Sequence, residues 1–371
     1  MVALQIAFLS DASYRVVAIV GLFGAVLPMV FGMAYLLLPS YVGRTLSTPR
    51  LPGVHFLVAY AGTGLLAGHE LFELGRPVLL GGTLLWSVGV GLFVAALLLT
   101  VVPAIGATSD GVVPSRTRSG GSTRLAMAAI PLAVGYLLVG TIALLSTLLG
   151  AGTPLAAPFP TVVHLYATGF VALLIFALGI RLVTGFFHVT PPTLLSWLVL
   201  LSGGVAPGVL SVNFWRPPWF AVGAGGELVA MMGYAALVAI VTYRTDRRRV
   251  GLYGIGFGAL GGVGAVSVAF AAISGRIGAL DIATHVTVAL DGFLIPTIIG
   301  YAYQFFPVTN GRFRGATDRT ALATIVLLGA GTVIGALGVA ADSYWLRSGG
   351  FGLALIGAGG YAYLMSRKLL S

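Results

Sequence analysis

Apolar residues run through this chain in long blocks, broken by short clusters of Gly, Pro, Ser and Arg. The blocks cover approximately 15–39, 53–72, 80–103, 125–150, 161–187, 193–213, 218–243, 250–273, 284–307, 319–341 and 349–366. Each approaches or exceeds the roughly 20 apolar residues that an α-helix needs to cross the hydrocarbon of a bilayer. None shows the alternation of a half-buried strand. The pattern predicts an all-α polytopic membrane protein with eleven membrane-spanning helices in a single membrane domain. The longest polar segment, 106–124, is rich in Ser, Gly and Arg and reads as a flexible cytoplasmic linker.

Composition agrees with this reading. The 371 residues are 58% hydrophobic and only 8% charged, against about 25% charge in a soluble domain. The 54 glycines suit close helix packing, because small residues let backbones approach in lipid. Cysteine is absent, which excludes disulfides, thiolate ligands and iron–sulfur clusters, so any metal must be held by His, Met, Tyr or carboxylate. The formal charge of +10 comes from arginines scattered through short loops. No basic patch is interleaved with aromatics, so the implied partner is the lipid bilayer and not nucleic acid. The first ten residues lack a charged stretch and a small-residue cleavage site, and read as mature sequence.

The arginines also orient the chain. Arg44, Arg50, Arg116, Arg118, Arg124, Arg244, Arg247, Arg248, Arg249, Arg312, Arg314, Arg319, Arg367 and Lys368 fall on one side of the alternating helices. The other side holds Arg15, Arg76, Arg216, Arg276 and Arg347. The positive-inside rule then places the N-terminus outside and the C-terminus in the cytoplasm of a cell membrane.

Three of the blocks share a frame. His285 opens one, followed by Gly292, Gly300 and Pro307; His164 opens another, with Gly179 in the place of Gly300 and Arg181 two residues on. The first block has Gly32 and Pro39 in register, with Val17 in the histidine position. The frame implies parallel pseudo-threefold repeats, approximately 14–150, 161–273 and 284–366, about an axis along the membrane normal. His164 and His285 would then share one depth in the outer half, and a polar ring there calls for a partner or a ligand. A metal or heme site between repeats is the expectation.

At these residues the chain resembles the catalytic subunit of the heme-copper oxidase superfamily, and within it the NnrS family linked to nitric oxide. The helix from His285 through Gly292 and Gly300 to Phe305, Phe306 and Pro307 looks like the oxidase helix bearing a His-x-His pair. His164, Gly169, Arg181 and Gly185 look like the NnrS histidine helix. Pro28, Gly32, Pro39, Pro49 and Phe56 look like the oxidase segment that leaves a heme-ligand helix. The resemblance implies an oxidase-like bundle in which His285 is the axial ligand of a heme and His164 lies towards its distal or copper side. It also departs from the pattern. Val17 and Ile19 stand where the family carries heme-ligand histidine, Thr287 replaces the second histidine of the pair, and 193–213 contains none. A complete heme–copper centre, and with it oxygen reduction and proton pumping, is therefore not expected.

The remaining polar residues each have a plain reading beside the functional one. His69 shares a helix face with Glu73, which would make an outer metal or proton site; a salt-bridged helix end near Arg76 is the plainer alternative. Thr284 and Thr287 are candidate acceptors for the second nitrogen of His285. Tyr166 either ligates iron or belongs to an aromatic belt. His55 and His188 read as interface residues, and Arg181 as a side chain reaching the inner surface. Asp291 and Glu227 lie within the blocks, and a buried acid in a membrane marks a functional site by default. Asp291 follows His285 by about 9 Å and about 120° around the helix, too far to serve that ring. Gly254-Ile-Gly-Phe-Gly258 lies in an apolar block with no strand before it, so the dinucleotide reading fails. Two functions follow. One is a heme protein, with or without copper or another metal, that binds nitric oxide or another diatomic gas and meets a redox partner. The other is a cofactor-free transporter, assembly factor or partner subunit on the same fold.

Overall fold

A computed structural model describes residues 1–107, 121–150, 156–212, 214, 218–273 and 282–370. Most of the 106–124 segment, Arg116, Arg118, Arg216 and Arg276 lie outside the described residues. The described chain is all-helical: α1 Val2–Leu9, α2 Tyr14–Tyr41, α3 Leu51–Phe72, α4 Arg76–Ala107, α5 Gly121–Leu149, α6 Phe159–Phe187, α7 Thr193–Val212, α8 Trp219–Arg244, α9 Gly251–Ile273, α10 Ile282–Asn310, α11 Asp318–Ala340 and α12 Tyr344–Leu370. Every apolar block therefore carries a helix. Among the described residues ten of them, α2 to α11, are long and apolar enough to cross a membrane. The expected eleventh, α12, has the length, 27 residues, but its glycines and its charges Arg347, Arg367 and Lys368 dilute the apolar content. The protein is a multi-pass helical membrane protein.

Glycine sets how closely neighbouring helices approach. α11 and α12 run antiparallel, with Gly331 against Gly350 and Ala354, Gly335 against Gly350, and Gly338 against Arg347. A Cβ added at Gly350 would strike the backbone of Gly335. α9 and α10 pack in the same way, and a Cβ at Gly300 would lie 2.6 Å from the backbone nitrogen of Ile255. Backbones this close gain dispersion contacts that lipid cannot replace. Register matters here, since Gly349, one residue from Gly350, faces open space.

The three helices that share the sequence frame form the interior. In α2, α6 and α10 the central window is 72%, 72% and 67% buried, whereas no other spanning helix exceeds 50%. Each of the three also leaves α-geometry for one stretch of π-helix: Ile19–Val26, Leu165–Ala172 and Val288–Leu294. The stretches begin one to three residues after Val17, His164 and His285 respectively. Pro28 and Pro296 follow two of them, and a wider turn accommodates a ring that has no N–H and crowds the preceding turn. α6 has no proline there. The frame glycines do not share one role: Gly32 has room around it, Gly179 lies under the Tyr301 hydroxyl, and Gly300 meets α9 backbone.

The N-terminal residues add an element that the apolar blocks do not include. α1 folds back into the bundle, stacking Phe8 on Phe351 with centroids 4.5 Å apart and placing Leu4 over Gly21. Its Gln5 is fully buried.

Gly350→Ala is expected to lower the thermal unfolding midpoint of the detergent-solubilised protein, by the about 1–3 kcal/mol typical of overpacking. Gly349→Ala should leave it unchanged or raise it slightly, because alanine there gains helix propensity and meets nothing.

Candidate functional site

His164 ends the first α-turns of α6, and His285 stands in the equivalent place on α10, each just before the π-helical stretch. The fold brings the two together. Their ring centroids are 6.0 Å apart and their planes are parallel within 3°. The Nδ1 of His164 lies 2.9 Å from the Pro160 carbonyl oxygen, and the Nδ1 of His285 lies 3.0 Å from that of Ala265 on α9. A carbonyl only accepts, so each Nδ1 carries the proton and donates it. In the neutral ring each Nε2 then keeps its lone pair, the tautomer that binds metals, oriented by a backbone acceptor. Thr284 and Thr287 do not provide that acceptor; Ala265 does.

The half-buried rings separate two cavities. One, about 830 Å³, is lined by Tyr14, Pro160, Phe214, Phe220, Ala269 and Ile282 together with both histidines. The other, about 680 Å³, lies deeper and is lined by both histidines, Thr168, Glu227, Met231 and small residues including Ala18, Ala167, Gly262 and Ala289. Glu227 is buried on α8 and interacts with the Thr168 side chain, while its Oε1 has no hydrogen-bond partner. An apolar chamber with two neutral imidazoles, a thioether and one carboxyl group can hold a soft or borderline metal and a small molecule beside it.

The other candidates lie elsewhere. Tyr166 is fully buried and neither ligand nor belt: its hydroxyl accepts from Trp86 Nε1 at 3.2 Å and lies 2.9 Å from Thr141 Oγ1. His69 lines neither cavity; its Nδ1 bonds to the Leu74 carbonyl at the end of α3. The ion pair at that end joins Arg15 to Glu70 at 3.0 Å, while Glu73 is exposed and Arg76 donates to the Leu148 carbonyl. His188 is an exposed left-handed helix cap with φ 55°. Arg181 stacks over Tyr41 at 3.8 Å. Asp291 is fully buried between Gln5 and Thr332.

His55 overturns its reading as an interface residue. It is fully buried, packed among Phe31, Tyr35, Phe56 and Phe93, with Nδ1 3.1 Å from the Tyr35 hydroxyl. Its Nε2 has no partner. The aromatic spacing of Phe31 and Tyr35 on α2 and of Phe56 beside His55 is the trace of this nest in the sequence.

Among the described residues no group of three or more His, Cys, Asp or Glu side chains is placed to hold a metal ion. No protein-family model and no curated protein matches the sequence.

Tyr166→Phe is expected to destabilise the protein by about 1–3 kcal/mol, because Trp86 Nε1 loses its buried acceptor. Whatever binds at the histidines should bind unchanged, since Tyr166 lines neither cavity. Thermal unfolding and ligand titration of the same variant check both halves.

Proposed function

We propose that this protein holds a copper or iron centre on His164 and His285 and presents it, inside the membrane, to a diatomic gas such as nitric oxide. The observation that carries this reading is the pair of Nδ1–H bonds to backbone carbonyls, which leaves two imidazole Nε2 atoms as ligands beside an apolar chamber. Two imidazoles that share one ion each hold it in the ring plane at about 2.0–2.1 Å, so these rings, parallel within 3° with centroids 6.0 Å apart, would turn towards each other on binding. Met231 on the same wall offers a thioether, a donor that favours Cu(I). When bound, the metal would supply an open coordination position for the gas. The chain supplies the rest: α6 and α10 fix the two rings, the apolar wall excludes water, and Glu227 keeps one carboxyl group within the chamber.

A heme asks for more than its axial histidine, because its propionates need cations. None of the described residues lining the two cavities is Lys or Arg. The bare-ion form of the centre is the better fit, and the resemblance to oxidase and NnrS proteins supports the general class. The parallel threefold arrangement, with the N-terminus outside and α12 as the eleventh span, is part of the same proposal. It is supported by the three matched π-helical stretches and by the sidedness of the arginines.

The cofactor-free alternative is favoured by one observation, the lack of a third His, Asp or Glu ligand among the described residues. The two readings separate on the purified protein from metal- and heme-replete cells. Metal analysis is expected to find about one copper or iron per chain, with metal affinity reduced 10–100-fold or more in His164→Ala and in His285→Ala, ligand losses at least as severe as the loss of an outer-shell partner. Nitric oxide should perturb the visible or paramagnetic spectrum of the wild type and not of the variants. A colourless, metal-free wild type would overturn the proposal, and a Soret band would replace the bare ion with a heme.

A further inference from the structure

A second buried polar site lies on α10, separate from the histidines. Asp291 has no solvent exposure. Its Oδ1 accepts from Gln5 Nε2 at 2.7 Å, and its Oδ2 lies 2.8 Å from Thr332 Oγ1. Thr332 Oγ1 also lies 2.8 Å from the Leu328 carbonyl and 3.3 Å from the Asp291 carbonyl. One hydroxyl proton thus faces three oxygen acceptors, and the usual choice within a helix is the carbonyl four residues back. The other oxygens are then turned towards each other with no proton between them. Gln5 contributes a further oxygen, Oε1, which is buried and has no partner. The space between α1, α10 and α11 therefore gathers both carboxylate oxygens of Asp291, Thr332 Oγ1 and Gln5 Oε1, with the Gln5 Nε2 amide as a donor beside them.

Burying a carboxylate in an apolar bundle is costly unless it is neutralised. Among the described residues no basic side chain lies within ion-pair distance of Asp291, and the amino group of Met1 acts on it only from longer range. A proton on Asp291 would neutralise the charge but would leave Gln5 Oε1 unpaired. A cation bound by oxygen answers both needs. One carboxylate carries one charge, so a monovalent ion leaves the site neutral and a divalent ion does not. Carboxylate, hydroxyl and amide oxygens suit a hard cation.

A cavity of about 690 Å³ lies near the site, lined by Asp11, Asp342, Thr287, Val339, Arg347 and Phe351 among others; Gln5, Asp291 and Thr332 do not line it. Thr287 precedes Asp291 by four residues on α10, one helical turn, and Val339 follows Thr332 by seven on α11. Asp11 pairs with Arg347 at 2.7 Å, which leaves Asp342 as the uncompensated charge at the mouth. A negative mouth over a low-dielectric wall concentrates cations.

We propose that Asp291, Thr332 and Gln5 form a binding site for a small monovalent cation of the sodium class, one helical turn from the cavity that Asp11 and Asp342 line. Sodium bound there ties α1 to α10 and α11, and so couples the N-terminal helix to the π-helical stretch that carries Asp291. The site does not depend on a metal at His164 and His285.

The test uses the full chain in lipid nanodiscs, with radioactive sodium as the probe and choline as the replacement ion at equal ionic strength. Wild type is expected to bind sodium saturably, one ion per chain, and to unfold at a higher temperature in sodium than in choline. Asp291→Asn and Thr332→Val should lower the affinity at least tenfold, Thr332→Ser should retain it, and His164→Ala with His285→Ala should not change it. The wild-type measurement stands alone should a variant misfold. If wild type takes up no sodium between about pH 6 and pH 9 and its stability is the same in both salts, Asp291 is a protonated carboxyl group and the proposal is overturned. Sodium binding that survives in folded Asp291→Asn would overturn it equally.

Discussion

Inside a bilayer no water is at hand to pair a polar atom, and each unpaired group there costs several kcal/mol. That constraint shapes this protein more than any single contact. It makes every described crossing a helix, because only a helix pairs its backbone within itself. It also decides how the few buried polar side chains are held. Trp86, Tyr166 and Thr141 form one chain of hydrogen bonds, Tyr234 and Tyr301 a second, and Tyr303 and Thr324 a third. The histidines obey the same rule, each giving Nδ1–H to a backbone carbonyl. The atoms left over are therefore informative. Among the described residues ten buried side-chain atoms have no partner; Glu227 Oε1 and Gln5 Oε1 are two of them and lie at the sites proposed above, while others, such as His55 Nε2 and both amide atoms of Gln304, lie elsewhere.

The second organising feature is the difference between inner and outer helices. α2, α6 and α10 are the most buried of the spanning helices, and among the described residues they alone contain π-helical stretches. A π-turn widens the helix and turns side chains to directions that an α-helix does not reach, which is why such turns gather at functional sites. In α6 and α10 the stretch begins one and three residues after the histidine, and in α10 it carries Asp291 as well. Glycine contacts hold α3 to α4, α7 to α8 and α11 to α12, and also hold the inner α10 to α9. The chamber at the histidines draws on inner and outer helices alike, with Glu227 from α8 and Ala265 from α9.

Much of this was legible in the residues. The eleven blocks each became a helix, and the shared frame singled out the three helices that proved to be interior. The histidine position in that frame brought His164 and His285 within 6.0 Å of each other. The frame could not tell that its glycines play different parts, because a glycine's role depends on which backbone passes over it. Nor could it place Tyr166, which sits at histidine spacing and yet turns towards Trp86. The position of His55 near the end of a block points to an interface residue. His55 is buried because Phe31, Tyr35 and Phe93 from other helices close over it.

Hydropathy and composition were enough to determine a helical membrane protein without thiolate chemistry, since the cost of exposing apolar surface to water, and polar backbone to lipid, is paid locally along the chain. Contacts between distant segments are not local, and sequence spacing does not encode them. Only the tertiary structure decided that Ala265 on α9 would orient His285, that Glu227 on α8 would share a chamber with both histidines, and that Gln5 would reach Asp291 across 286 positions of chain. Each of these depends on which helix faces in at a given depth, and that is set by the packing of the whole bundle.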